Sequence, residues 1–141
     1  MNPLRIFLAA LAAFVAYMAF GGVVFALVPA LKTEFLKYPA VYRDQNGQMS
    51  HMPVGMAGMF VAMLALAVLY ALLCQGGSGL VEGLRFGALI GVFALGSFVL
   101  HNYVNLNIGW RITAQQGTMY FIEWLIVGVV IGLIYRPAAP H

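Results

Sequence analysis

Long uncharged runs dominate this chain, separated by short polar stretches. Positions 6–28, 54–74 and 86–108 carry no Asp, Glu, Lys or Arg, and 118–135 is broken only by Glu123. A hydrocarbon core about 30 Å thick takes about 20 apolar residues per helix. The pattern therefore predicts four membrane-spanning helices, over approximately 5–29, 54–75, 83–106 and 116–136. A long loop, 30–53, joins the first two, and the other two connections are short. Pro29 and Pro39 argue against one continuous helix through the long loop. Asp44-Gln45-Asn46-Gly47 reads as a turn, and Pro53 as the first residue of the second helix. The expected fold class is all-α: an integral membrane four-helix bundle in a single transmembrane domain, 1–141, with both termini on the same side.

Composition narrows the class further. Of the 141 residues, 63% are hydrophobic and 8% charged, against about a quarter charged in an average soluble domain. A soluble domain, a disordered tail and a disulfide scaffold are excluded; Cys74 has no second cysteine to pair with. The net charge of +3 comes from scattered residues. No Lys/Arg run neutralises several phosphates, so nucleic acid is not an expected partner; the lipid bilayer is. The first apolar run is about twice the length of a signal-peptide core and is expected to stay as a span. Arg5, Arg85 and Arg136 flank helix ends on the terminal side, against Lys32, Lys37, Arg43 and Arg111 opposite. Weighting charges at helix ends places the termini in the cytoplasm.

Small residues at four-residue spacing let helices approach closely in lipid. Gly87 with Gly91, and Gly128 with Gly132, form two such pairs and are expected to be intrachain seams. Gly87, Gly91, Ala94, Phe98, His101 and Asn105 are spaced as one continuous helical face. That face is expected inside the bundle, tight at one membrane side and polar at the other.

Glu123 stands out, because an ionised, unpaired acid within a span costs a few kcal/mol. With the last loop centred near Arg111 and Ile112, equal counting outward sets Glu123 level with Leu100. His101, Asn102 and Asn105 are then at its depth, and Arg111 is long enough to reach down. Three roles are open: a polar clasp or water-filled rim, a proton- or cation-binding site, or an acid/base pair with His101.

A second chemistry lies at the mouth of the second helix. Five of the eight methionines fall between positions 49 and 63. Thioethers with an imidazole suit Cu(I), which makes Met49, His51, Met52 and Met56 the candidate ligands. Packing is the competing role for such a stripe. No cofactor is assigned: His101 is the only histidine inside a span, so one chain supplies no bis-His haem site. Tyr103, Trp110, Tyr120 and Trp124 are expected to form an aromatic belt. Phe35, Tyr38 and Tyr42 in the long loop suit the interface or a docking subunit.

The leading functional expectation is a small structural or accessory subunit, or a homo-oligomer, whose partners are copies of itself or other membrane subunits. No catalytic constellation supports an enzyme. The alternative is proton- or cation-coupled transport or ion binding through Glu123 with His101. The third is copper binding.

Overall fold

The computed structural model describes residues 1–135. It is helical throughout, with no strand among the described residues. The elements are α1 (Pro3–Leu27), α2 (Pro29–Leu36), α3 (Gln45–Leu73), α4 (Gly79–Ala94), a π-helical turn (Leu95–Leu100), α5 (His101–Asn105) and α6 (Trp110–Ile134). The π turn and α5 continue α4 without a break, so Gly79–Asn105 is one rod. Among the described residues, four helices are long and apolar enough to cross a membrane: α1, α3, Gly79–Asn105 and α6.

The helix limits differ from those expected, and each difference has a local cause. α3 starts at Gln45 rather than 54, because Asp44 caps it by accepting from the Gly47 N–H at 2.8 Å. Pro53 lies inside that helix rather than at its start, removing one bond from an established ladder. The long loop is shortened further by α2, which Pro29 opens from the first turn. α6 begins at Trp110 rather than near 116, and the Thr113 hydroxyl donates to the Gly109 carbonyl at its N-terminal end. The connection between α5 and α6 is therefore only 106–109.

Packing runs in the order α3, α1, α6, α4, with α6 shared between two seams. The α4–α6 seam is a glycine ladder. A Cβ on Gly83 would lie 2.5 Å from the Gly128 carbonyl oxygen, and one on Gly87 would lie 2.5 Å from that of Trp124. Gly79 and Gly132 meet in the same way one step further along. Gly79, Gly83, Gly87 and Gly91 recur every four residues, so α4 presents backbone along a whole face. Gly22 and Gly58, by contrast, face open space. Against α1, the other seam sets Ala9, Ala10 and Ala13, all fully buried, among Met63, Ala67, Val127 and Ile131.

The expected continuous face from Gly87 to Asn105 is broken at the π turn. Gly87 and Gly91 are buried, but Phe98 is 49% exposed while Val99 is 2% exposed. A π turn takes in one extra residue, which rotates everything after it. His101 and Asn105 consequently point out of the bundle and are exposed. The helices leave most apolar side chains outside: 17% of the most apolar window is buried in α1 and in α3, and 28% and 33% in the other two. In water such surface is a liability; in lipid it matches the solvent.

Candidate functional site: an acid in the α1–α6 seam

Gln116, Tyr120 and Glu123 lie at i, i+4 and i+7 on α6, which sets them on one face. Tyr17 and Gly21, four apart on α1, answer them. Glu123 is 4% exposed. Its Oε1 lies 3.5 Å from where a Gly21 Cβ would be, and Tyr17 lines the same cavity. A methyl group at that position would make ordinary van der Waals contact with the carboxylate.

These residues line a cavity of about 200 Å³. Phe25 from α1 and Phe35 from α2 complete its aromatic wall. Glu123 is thirteen residues from the start of α6 and eleven from its end, about 20 Å and about 17 Å along the axis. The acid therefore sits mid-helix, deeper than the sequence count placed it.

The end of the cavity nearest the α1–α3 connection is tied down by a polar network. Glu34 on α2 is 3% exposed. It pairs with Lys37 at 2.5 Å and with Arg111 Nε at 3.3 Å. The Gly109 N–H donates to the Tyr38 hydroxyl at 3.0 Å, and Gln116 Nε2 donates to the Tyr42 hydroxyl at 3.1 Å. Rings meet along the same edge, Phe25 tilted against Phe35 at 5.6 Å and Phe35 edge-on to Tyr42 at 4.7 Å.

The residues expected around Glu123 are elsewhere. The glycine ladder pairs Gly91 with Phe121 and Gly87 with Trp124, which sets Glu123 level with about Ala88. His101 is thirteen residues further along the rod, about 20 Å at 1.5 Å per residue. His101 and Asn105 are exposed, Asn105 donating to the His101 carbonyl at 2.8 Å, and Asn102 is half-buried. Arg111 reaches Glu34, not Glu123. The cause is the short 106–109 turn, which moves the whole of α6 relative to α5.

The expected aromatic belt divides likewise. Tyr103 and Trp110 contact at 5.4 Å beside the turn. Tyr120 and Trp124 are mid-helix, with Trp124 against Tyr17 at 5.8 Å. Of the expected copper ligands, Met49, Met52 and Met56 are exposed on α3. His51 lies well off their face at 100° per residue, and its Nδ1 sits 2.8 Å from the Gly47 carbonyl oxygen. Among the described residues no three His, Cys, Asp or Glu side chains gather as a metal site.

Sequence reasoning found Glu123 but missed Tyr17, Gly21, Phe35, Gln116 and Tyr120. The i, i+4, i+7 spacing of Gln116, Tyr120 and Glu123 was available as a signal. The α1 and α2 contributions depend on tertiary packing. Glu34, buried between Lys37 and Arg111, anchors the polar network and was not singled out in the sequence. No protein-family model, no curated protein and no solved structure matches this chain.

Proposed function

We propose that this is a multi-pass membrane protein, with both termini on the cytoplasmic side, that binds a proton or small cation at Glu123 and uses that site for transport. The observation that carries this reading is the carboxyl group itself. It is buried at mid-helix and faces a cavity rather than a basic partner. An ionisable residue at that depth is expensive to keep, and such residues mark ion and substrate paths. A purely structural clasp has no use for a cavity beside it. The Tyr17 and Tyr120 hydroxyls and the Gln116 amide supply polar contacts, the part first given to His101.

The test is proton- and cation-driven flux in liposomes holding the purified protein. The expected result is measurable flux in the parent protein that falls to background in Glu123→Gln, with the variant still helical and monodisperse. Equal flux in both, or none in the parent, overturns the reading.

A second reading, an accessory subunit or homo-oligomer, is favoured by a separate observation. α3 and α4 do not close on each other and leave an apolar groove of about 610 Å³. Trp124 lines it, and the indole N–H of Trp124 is buried with no acceptor among the described residues. A partner helix would fill that groove. Native mass spectrometry in mild detergent distinguishes the cases: a multiple of the chain mass or foreign subunits support this reading, and a lone chain overturns it.

A further inference from the structure

We infer that the ligand of the Glu123 cavity is a small organic monocation, a protonated or quaternary amine, rather than a bare metal ion or a proton alone. This rests on the cation-site reading above. It names the ligand class from the walls of the cavity.

Four aromatic rings, Tyr17, Phe25, Phe35 and Tyr120, line the space into which the buried carboxyl group faces. A ring face attracts a cation within about 6 Å of its centroid, and desolvated cases are the stronger ones. Aromatic walls with one carboxylate match the two needs of an ammonium ion: charge neutralisation and apolar contact for its carbon substituents.

The oxygen supply argues against a hard inorganic cation. Such ions take about six or more oxygen ligands. The cavity offers the Glu123 carboxylate, two tyrosine hydroxyls and the Gln116 carbonyl oxygen. The Gln116 amide nitrogen is already committed to Tyr42, and helical carbonyls are committed to their own ladder. A proton would need only the carboxyl group. It leaves unexplained a cavity of about 200 Å³, roughly the space of seven liquid waters at about 30 Å³ each. That volume suits a small amine.

The test is competition against a hydrophobic carbodiimide, which modifies a carboxyl group reachable from lipid, read by mass spectrometry of the purified protein. The expected result is labelling at Glu123 that slows with tetramethylammonium chloride. Potassium or sodium chloride at equal concentration leaves it unchanged. Phe35→Leu, which keeps Glu123 intact and lies outside the four long helices, is expected to weaken that protection roughly three- to thirtyfold. Glu123 labelled equally fast under all three salts overturns the organic-cation inference and leaves the proton reading standing. Protection by potassium or sodium as strong as by tetramethylammonium also overturns it, in favour of a metal ion. No labelling at Glu123 in the folded protein, with labelling appearing after denaturation, removes the accessible site itself and both readings with it.

Discussion

α6 packs against two neighbours by opposite means. Towards α4 it presents Gly128 and Gly132, and backbone meets backbone so closely that no side chain fits between. Towards α1 it presents Gln116, Tyr120 and Glu123, and the helices leave a cavity. In lipid, burying one apolar side chain against another gains little over burying it in acyl chains, so close van der Waals approach carries helix association. The glycine seam supplies that approach. It allows the Glu123 end of the other seam to be loose and polar, features that would be destabilising if they had to hold the bundle together. One helix thus separates a structural face from a chemical one.

The largest effect that would break this comparison comes from filling the tight seam. Gly83→Leu or Gly128→Leu is expected to destabilise the bundle by about 3 kcal/mol or more, since the added atoms meet backbone that cannot rotate away. Loss of the monodisperse peak and of cooperative unfolding in detergent would show it. Gly22→Ala, in open space on α1, is the matched control and is expected to stay within about 1 kcal/mol of the parent. Equal tolerance at Gly83 and Gly22 would mean that the seam is not where the stability lies.

A smaller effect sharpens the other side. Tyr42→Phe removes the acceptor of the Gln116 amide, a neutral hydrogen bond with a net worth of about 1 kcal/mol. Overall unfolding is expected to shift only slightly. Carbodiimide labelling of Glu123 is expected to speed up, because Gln116 and Phe35 both line the cavity and both contact Tyr42. A rate unchanged by this substitution would show that the network does not control access.

How much of this was legible in the sequence follows the same division. The four apolar helices were readable because lipid demands long apolar runs, whatever packs against them. Their limits were not, since hydropathy stops at the first polar residues. It cut the Asp44-capped start from α3 and the stretch from Trp110 to Gln115 from α6. That error moved Glu123 towards a membrane edge and gave it His101 as a neighbour. The glycine ladder was half visible: Gly87, Gly91, Gly128 and Gly132 were noticed, while Gly79 was assigned to a loop. The π turn is silent in any fixed-period reading, so the face through Phe98 to Asn105 was carried straight on where the chain rotates. Glu123 was legible as an anomaly, but its surroundings come from α1 and α2. Only packing brings those helices to it.

The last prediction probes the foot of the tight seam, where α3 returns to α4. Cys74 caps α3, with its thiol 3.6 Å from the Ala71 carbonyl oxygen. Burial, and after it the Glu82 carboxylate, raise the thiol pKa above its ordinary value. Glu82 is held in place by the Gly77 N–H, which donates to it at 2.8 Å, and Gly77 follows Gly76, whose φ of +83° suits glycine. A raised pKa leaves less thiolate at neutral pH, and the thiolate is the nucleophile. Maleimide is therefore expected to react with Cys74 more slowly than with a free thiol at pH 7, and to gain rate as pH rises. Glu82→Gln removes the repelling charge, lowers the pKa and is expected to speed the reaction by a few-fold at pH 7. A rate equal to that of free cysteine, and unmoved by Glu82→Gln, would mean that the turn does not hold α3 and α4 as described. The tight seam would then be confined to the α4–α6 glycines.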